Sequence, residues 1–499
     1  MFKNQRPQCR ILGTALFLGA ALAAPGQNTQ PDPRTYSVAT PRPINPAEST
    51  TNPSAQATQA QNPYLGSVPE KATSTTIRLS MRDAIERGLR YNLGLIESNQ
   101  ASADVRAGRL RALAALLPQV SAEGRQAFES ISLKEIGLKL PPIPGFPGLP
   151  ATTGGFGYQD VRVSLNQSLY SAELREQHQA RKSAEKASKL SIKDSRDVVV
   201  FVVGTAYAQT VASAARVETA KAQLASAQEL DRQTANRFKS EVSPEIDALR
   251  AQVELQSAEQ RLTTSVNQFE KDKLTLGRIT GLAIDQKFVL TDTLSDRPLT
   301  AMTEQSATEN AFRSRSDLAS AEASVRAAAL SLQAEKAERL PTVSLHVEYG
   351  SGGTNVGNFN QLYSIAGSIS VPLYTGGRIR ADIQQADADL VRRKAEYADL
   401  KGRIAYDIRT AWLDLNASNS SVKVAERNKV LADRALAQSR DRYENGVTNY
   451  LEVVQAQEAV VAASENYIES LYSFDVAKVS LLRAMGASET RLQELLGGK

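Results

Sequence analysis

The segment Leu340–Tyr349 reads LPTVSLHVEY and decides the fold. After Pro341, apolar side chains alternate with polar ones, which is the period of a β-strand with two unlike faces. A second alternating run, Tyr363–Val371, follows a glycine-rich loop and predicts a hairpin. Runs of about 9–11 residues can cross a bilayer as tilted strands. We therefore expect one face to meet lipid, although a soluble hairpin remains open; the expected lipid-facing residues are Val343, Leu345, Val347, Ile365, Ile369 and Val371.

The same arrangement occurs earlier in the chain, so the sequence is a tandem duplication. Leu117-Pro118 precedes a weaker strand pattern from Gln119 to about Phe128, and it corresponds to Leu340-Pro341 at an offset of 223 residues. Val161, Val163 and Leu165 alternate in the returning strand, and Leu169-Tyr170 corresponds to Leu373-Tyr374 at an offset of 204. The difference of 19 residues falls in the proline- and glycine-rich stretch Leu140–Gly157, as expected of a loop insertion.

Long helices flank the predicted hairpins. Ala172–Ser243 and Gly376–Val447 each span 72 residues without an internal proline, and as helices they would be about 108 Å long. Shorter helices are predicted at Ser80–Leu117, Pro244–Gly281, Thr303–Leu340 and Asn449–Met485. The last has large residues every seven positions, which predicts coiled-coil packing, with a plain amphipathic helix as the alternative; these residues are Val453, Val460, Tyr467, Phe474 and Leu481.

The N-terminal part differs in composition from the rest. Residues 1–24 have a basic start (Lys3, Arg6 and Arg10) and an apolar run at Ile11–Ala21, and are predicted to be a signal peptide. Residues 25–76 are rich in Pro, Gln and Thr and are predicted to be a disordered linker. Without the three basic residues of the leader, the formal charge of +5 falls to +2, which does not favour nucleic-acid binding. After the leader the longest aliphatic and aromatic run is Val198–Val203, much shorter than the about 20 residues of a membrane-spanning helix.

No pattern in the chain predicts catalysis, a cofactor or a metal. One Cys and two His exclude a disulfide framework and a Cys/His zinc cluster. His178 and His346 lie 168 residues apart, and both are expected to be solvated side chains. The glycine-rich stretch Gly350–Gly357 lacks the Lys-Ser/Thr of a phosphate loop and is expected to be a hairpin loop.

The expected fold class is mainly α with a small β part, duplicated in tandem. The first repeat covers residues 77–282, a connector 283–302, the second repeat 303–486 and a tail 487–499. A sheet in lipid must close on itself, because an open edge leaves backbone groups unpaired. Four strands are too few to close, so several copies of the chain are expected to share one barrel.

Over roughly residues 76–490 the chain resembles the TolC-like outer-membrane efflux proteins. The resemblance rests on the tandem repeat, the Leu-Pro entry to each hairpin, the exit sequence Val371–Arg378 (VPLYTGGR) and the helix turn Arg442–Thr448 (RYENGVT). It implies a homotrimer with a twelve-strand barrel in outer-membrane lipid, four strands per chain, and a long coiled-coil α-helical barrel in the periplasm. It further implies an equatorial belt near Ala283–Met302 and passive transport of small molecules or proteins. The implied partners are a periplasmic adaptor and an inner-membrane pump, in tripartite efflux or type I secretion.

The resemblance also implies a gate at the periplasmic tip. Asp247 and Tyr443 would help to close it, and Glu452 would form an acidic ring, or else be a solvated residue balanced by a nearby arginine. Thr448 stands where the family usually has an arginine, and Arg440 and Arg442 are the two candidates to replace it. The residues expected to dock the adaptor are Glu241, Val242, Ser243, Pro244, Gly446 and Val447.

Two other functional classes are compatible with long helices. A periplasmic coiled-coil adaptor or a structural envelope protein would also contain helical hairpins, but an adaptor needs compact β domains beside a single hairpin, and the sequence has neither feature. An envelope enzyme on a helical scaffold would need a catalytic constellation, and the sequence predicts none. An exit duct is therefore the favoured hypothesis.

Overall fold

The computed structural model describes residues 62–132, 152, 154–294, 297, 303–354 and 359–489. The predicted signal peptide, residues 25–61 of the predicted linker and most of the tail lie outside the described residues. The fold is mainly helical, as predicted. Its helices are α1 (Met81–Tyr91), α2 (Leu93–Ala114), α3 (Ala172–Lys239), α4 (Glu245–Thr280), α5 (Glu304–Ser314), α6 (Ser316–Ala337), α7 (Arg378–Glu444) and α8 (Tyr450–Ala484). Its strands are β1 (Ile77–Leu79), β2 (Gln119–Glu129), β3 (Phe156–Tyr170), β4 (Phe288–Leu290), β5 (Thr342–Gly353) and β6 (Asn360–Ser370).

The two long helices dominate the fold. Helix α3 has 68 residues and α7 has 67, so each is about 100 Å long. Ser171 caps α3 by accepting a hydrogen bond from the Leu174 amide at 3.2 Å. Helices α4 and α8 fold back along α3 and α7, and the heptad residues Val453, Phe474 and Leu481 of α8 are buried in that contact. The heptad therefore marks the packed face of α8, as the sequence predicted.

Two of the predicted helices are each broken once. The prediction of unbroken helices at Ser80–Leu117 and Thr303–Leu340 was wrong, because the backbone is extended at Asn92 and Arg315. The Asn92 side chain accepts a hydrogen bond from the Gly94 amide at 3.0 Å and donates one to the Tyr64 carbonyl at 2.7 Å. These two hydrogen bonds stabilise the break in the helix at Asn92. No proline or glycine at that position indicates the break in the sequence.

Residues 62–76 are ordered, which corrects the predicted end of the linker. Pro63–Leu65 form a short 3-10 helix, and the Tyr64 hydroxyl donates to Ser195 Oγ of α3 at 3.0 Å. The Gln286 side-chain oxygen accepts from the Thr73 amide at 2.7 Å. These contacts with distant parts of the chain offset an ordering entropy that local composition alone cannot offset.

The strands form two separate sheets. β1 and β4 pair in parallel, next to a core that includes Leu79, Val203 and Leu276. The larger sheet is antiparallel, in the order β2-β3-β5-β6, and its register places Val347 between Leu165 and Ile365. β6 ends at Ser370, so Val371 lies just beyond the strand in which it was predicted. Each repeat contributes one hairpin, and β3 and β5 join the two repeats.

The two faces of the larger sheet differ in chemistry. On one face Val343 is opposite Ile369 and Val347 is opposite Ile365, and both isoleucines are more than 70% exposed. On the other face a polar network crosses the strands: His346 Nδ1 lies 2.6 Å from Asn166 Oδ1, and His346 Nε2 lies 3.0 Å from Glu348. Ser121 and Ser344 bond to serines on neighbouring strands at 2.8 and 2.7 Å. The alternation predicted from the sequence is therefore realised as an apolar and a polar face.

Among the described residues, one helical segment is long and apolar enough to span a membrane. It lies in α3, and 56% of it is buried inside the structure, as in the core helix of a folded protein. The exposed apolar surface of the larger sheet is the stronger indication of contact with lipid.

The duplication holds in three dimensions. Ser80 and Thr303, 223 positions apart, each cap a helix through a reciprocal capping box. Gly281 and Gly486, 205 apart, follow α4 and α8 at φ values of 75° and 65°. Equivalent core positions are buried in both repeats; they are Val199 and Ile404, Val203 and Ile408, and Leu276 and Leu481. The offset of 205 therefore relates equivalent places on the helices after each hairpin.

One pair of equivalent sites carries opposite chemistry. In the first repeat Arg109 of α2 forms an ion pair with Glu185 of α3, whose side chain is only 8% exposed. At the equivalent sites of the second repeat, Leu332 and Leu390 are buried against each other in one apolar cluster. A buried ion pair is costly to desolvate, so apolar residues of similar size at such sites are often neutral or stabilising.

We predict that Arg109→Leu/Glu185→Leu keeps or raises the free energy of unfolding. Arg109→Leu alone should lower it by about 1–3 kcal/mol, because Glu185 then keeps only Lys189, at 2.8 Å. The measurement is denaturant unfolding of the detergent-solubilised protein, with Leu332→Ala/Leu390→Ala as the destabilising control. A double variant less stable than the single one would contradict the predicted equivalence of the two sites.

Candidate gate at the tip of the long helices

The two long helices end in equivalent turns. Val242 donates its amide to the Arg237 carbonyl at 2.9 Å, and Val447 donates to the Arg442 carbonyl at 2.8 Å. Both bonds close the helix end over a left-handed residue, which is Glu241 (φ 57°) in the first turn and Gly446 (φ 72°) in the second. Pro244 stands at the N-cap of α4, one position earlier than its expected place in the first turn.

An aromatic pair anchors the second turn. The rings of Tyr443 and Tyr450 meet edge to face with centroids 5.4 Å apart, and the Arg237 guanidinium lies 4.8 Å from the Tyr443 centroid. Both tyrosines are buried with Leu230, Ala251 and Val453 in one apolar cluster that joins the four helices. Burial raises the pKa of Tyr443, and the charge of Asp247 raises it further. Tyr443 is therefore a neutral side chain in the packing of the tip.

Asp247 lies beside this cluster. Asp247 is only 6% exposed. Among the described residues its ion-pair partner is Arg250 of the same helix, with Arg250 Nη1 3.8 Å from Asp247 Oδ1. Its charge acts on Tyr443, so the structure brings together the first two residues of the predicted gate. Neither Arg440 nor Arg442 forms an ion pair with Asp247 in the described part of the chain.

Glu452 belongs to a second polar group. Thr448 Oγ1 donates to Glu452 Oε2 at 2.5 Å, and Ser439 Oγ donates to Oε1 at 3.5 Å. Arg442 Nε lies 3.5 Å from Glu452 Oε1, and the Glu452 side chain is 36% exposed. Of the two candidate arginines, Arg442 is thus the one that meets a residue of the predicted gate. The pair also gives Glu452 a nearby arginine, as its alternative interpretation required.

Arg440 faces a different environment. It donates to Ser226 Oγ of α3 and lines a cavity of about 320 Å³ between the four helices. Burial lowers the pKa of its guanidinium, although nearby acidic groups oppose that shift. Arg440 therefore helps to join α7 to α3.

The residues predicted to dock a partner lie at the two turns. Val242 and Val447 occupy equivalent positions and are 64% and 67% exposed. Glu241, Pro244 and Gly446 are exposed beside them, and Ser243 is partly buried. The tip therefore presents the same exposed valine twice per chain.

A cluster of carboxylates at the other end of the long helices escaped the sequence analysis. Oxygen atoms of Glu335, Glu338 and Asp382 lie within 4.8 Å of one another, close enough to share a cation. Arg378 already binds Glu338 and also Asp382, at 3.0 Å. Burial raises the pKa of Glu335, and the charges of Asp382 and Glu338 raise it further. The spacing of Glu335 and Glu338 was the available signal, but it does not reveal that α7 begins beside them.

Several known outer-membrane proteins are similar to this chain in sequence. The family model described as outer membrane efflux protein matches residues 307–487, which is nearly the whole second repeat. The pyoverdine export outer membrane protein OpmQ of Pseudomonas putida is 27% identical over 320 residues, or 62% of this chain and 66% of OpmQ. The outer membrane efflux protein BepC of Brucella suis is 29% identical over 166 residues, or 32% of this chain and 36% of BepC. These alignments therefore span less than two thirds of either relative.

The fold has a close counterpart among solved structures. The Campylobacter jejuni CmeC outer membrane channel superimposes with a TM-score of 0.71 at 16% identity, over 92% of this chain and 98% of CmeC. The chain is similar in sequence to outer membrane efflux proteins over its second repeat, and it shares the fold of this solved channel. Its relatives are named as outer membrane proteins, in agreement with the predicted location.

The efflux-protein match favours the second repeat, and the tip illustrates how the first has diverged. At the left-handed position, the second repeat has Gly446 and the first has Glu241. A side chain with a Cβ is strained there, by about 1–2 kcal/mol.

We predict that Gly446→Ala lowers the free energy of unfolding by about 1 kcal/mol, because alanine must adopt the left-handed conformation. Glu241→Gly should be neutral or stabilising, since the strain that it relieves is offset by glycine's greater entropy when unfolded. Thermal unfolding followed by circular dichroism measures the stability of both variants, with Asn445→Ala as a control at the neighbouring position. Equal destabilisation by both variants would show that the turns are not equivalent.

Proposed function

We propose that this chain forms the outer-membrane exit duct of a tripartite efflux or type I secretion system. Three copies share one twelve-strand barrel, and the long helices form a tunnel into the periplasm. Transport is passive, and the cargo is small molecules or proteins delivered by an inner-membrane pump through a periplasmic adaptor. The observation that carries the proposal is the two-faced sheet with two unpaired edges.

The faces of that sheet match lipid outside and water inside. Ile365 and Ile369 are exposed on the apolar face, and a hydrocarbon environment would remove them from water. Arg162 lies on the opposite face, 2.5 Å from Asp160 and 3.5 Å from Glu348, where a water-filled channel would solvate the group.

The edges require further copies of the chain. β2 and β6 each pair on one side only within the described sheet. In lipid, unpaired amides and carbonyls cost several kcal/mol each, so β6 of one copy must meet β2 of the next. Three chains give twelve strands, the number that the resemblance implies.

The tip is proposed to be both gate and docking surface. Asp247 and Tyr443 help to close it, while Thr448 and Glu452 border the narrow passage. Exposed Val242 and Val447 offer six apolar contacts per trimer to a partner with an apolar helix end. Glu241, Ser243, Pro244 and Gly446 fix the shapes of the two turns that carry these valines.

The membrane assignment is tested by Ile365→Lys, in the middle of β6, and its neighbour Ser364→Lys on the polar face. Near the bilayer midplane a lysine facing lipid costs about 2–4 kcal/mol, whereas one facing the lumen costs much less. We expect Ile365→Lys to abolish insertion and Ser364→Lys to leave insertion and the trimer mass in detergent unchanged. A monomeric wild-type chain, or equal insertion of the two variants, would overturn the proposal.

The proposed gate is tested by two variants that should change cation selectivity in opposite directions. A ring of carboxylates favours cations, and Arg442 partly neutralises Glu452. In planar bilayers Glu452→Gln should lower cation selectivity, and Arg442→Gln should raise it by leaving Glu452 unpaired. Arg427→Gln, on the same helix but distant from the tip turn, serves as the control. Unchanged reversal potentials in both variants would remove Glu452 from the passage.

A further inference from the structure

The two long helices differ in how much of their surface is covered. α3 packs against α1, α2 and α4 of its own repeat and also against α6 and α8 of the other repeat. Away from the tip, where Arg440 and Tyr443 also contact α3, the helices that pack along α7 are α5, α6 and α8, all from its own repeat. Because the repeats are equivalent, α7 lacks the two neighbours that α3 gains from the opposite repeat.

The uncovered side of α7 can be located by the offset of 205 residues. Gly204 and Ala208 of α3 correspond to Arg409 and Leu413 of α7. Ala208 is buried at 2% exposure, whereas Leu413 is 62% exposed. α7 therefore presents to solvent the face that α3 buries.

The end of α8 and the residues just after it cover α3 through three side-chain contacts. Arg483, at the end of α8, binds Asp194 at 2.7 Å, and Val479 lies against Gly204. Glu489, just after α8, binds Arg196 Nε at 2.7 Å. This contact is the seam between the second and the first repeat within one chain.

The equivalent surface of the first repeat keeps the arginine and has apolar residues at the other two positions. Arg278, Leu274 and Ile284 are the equivalents of Arg483, Val479 and Glu489, and they line a groove of about 790 Å³ at the end of α4. Leu274 is 53% and Ile284 is 81% exposed. Among the described residues Arg278 forms no ion pair. The groove is therefore the unused counterpart of the internal seam.

The acid that should meet Arg278 is present at the equivalent place on α7. Asp194 of the internal seam corresponds to Asp399, so both members of the Arg–Asp pair recur in the duplicate. The Asp399 side chain is 71% exposed and pairs with Arg403 of its own helix at 2.9 Å. It is available for a partner from another chain.

We propose that α7 of a second copy occupies this groove, with Arg278 bound to Asp399 of the partner subunit. Leu274 then packs beside Arg409 of the partner subunit, and Ile284 covers the partner's α7 near Gly402 of the partner subunit. The contact joins unlike surfaces, so it propagates around a ring and closes with the barrel. The inference rests on the proposed trimeric duct and specifies the residues that hold it together.

The test uses two differently tagged chains expressed together, one carrying Arg278→Cys and the other Asp399→Cys. Cys9 is the chain's one cysteine and is replaced by serine in both. A short bis-maleimide should link the two tags into a covalent dimer. The matched control is Arg483→Cys/Asp194→Cys on one chain, which should link within that chain and leave its mass that of a monomer.

Charge reversal gives a second readout that does not depend on cysteine. Arg278→Asp should lose the detergent-resistant trimer, and adding Asp399→Arg should restore it. A wild-type trimer without the 278–399 link, or a failure of the reversed pair to restore assembly, would overturn this seam and leave the exit duct standing. A wild-type chain that is monomeric in detergent would overturn the seam and the duct together.

Discussion

A β-strand in lipid must have a hydrogen-bonded neighbour on each side, and this constraint governs the rest of the molecule. The larger sheet has four strands, too few to close a barrel, and within the described residues β2 and β6 are its edges. In the proposed duct, closure by further copies turns the polar face of the sheet inward. The helices that continue from the strands must then surround the same axis, so an uncovered side on α7 is a consequence of the sheet's open edges. In the proposed duct, the barrel and the tunnel are therefore parts of one assembly.

The two repeats pack their apolar cores in the same way but differ in their buried polar residues. The apolar cores coincide, because Val203 and Ile408 fill equivalent places and both are fully buried. Polar sites have changed more. A buried Arg109–Glu185 pair stands where the second repeat has two leucines, and the break between two short helices is made by Asn92 in one repeat and by Arg315 in the other. Burial of apolar area restricts the core, whereas a hydrogen bond can be formed by several residue types.

The sequence predicted those features that have a strong local period. Strand alternation gave the hairpins and both faces of the sheet, and the heptad containing Val453 and Leu481 gave the packed side of α8. The breaks at Asn92 and Arg315 were not predicted, because each is held partly by a carbonyl elsewhere in the chain, that of Tyr64 for Asn92 and that of Ala484 for Arg315. The order of residues 62–76 has the same origin, since Tyr64 is held by Ser195.

The candidate site was predictable in its position but not in its pairings. Gly446 marked the second turn, and the offset placed the first turn at Glu241. Which arginine meets Glu452 depends on side-chain direction at the end of a long helix, where Arg440 and Arg442 point to different neighbours. The carboxylates near Arg378 come from the two helices on either side of the second hairpin, so the hairpin sets the distance between them.

The two kinds of seam also differ in strength, and this difference bears on assembly. Within one chain, Arg216 of α3 binds Glu465 and Glu469 of α8 at 3.1 and 2.7 Å. In the proposed contact between chains, the equivalent positions are Ser421 on one side and Gln260 and Thr264 on the other, none of which is charged. The internal seam thus has more ion pairs, and its strands and helices are tethered by the chain, which lowers the entropy cost of bringing them together. A chain should therefore pack its own two repeats before it meets another copy, and the contact between chains, with fewer charges, should form last.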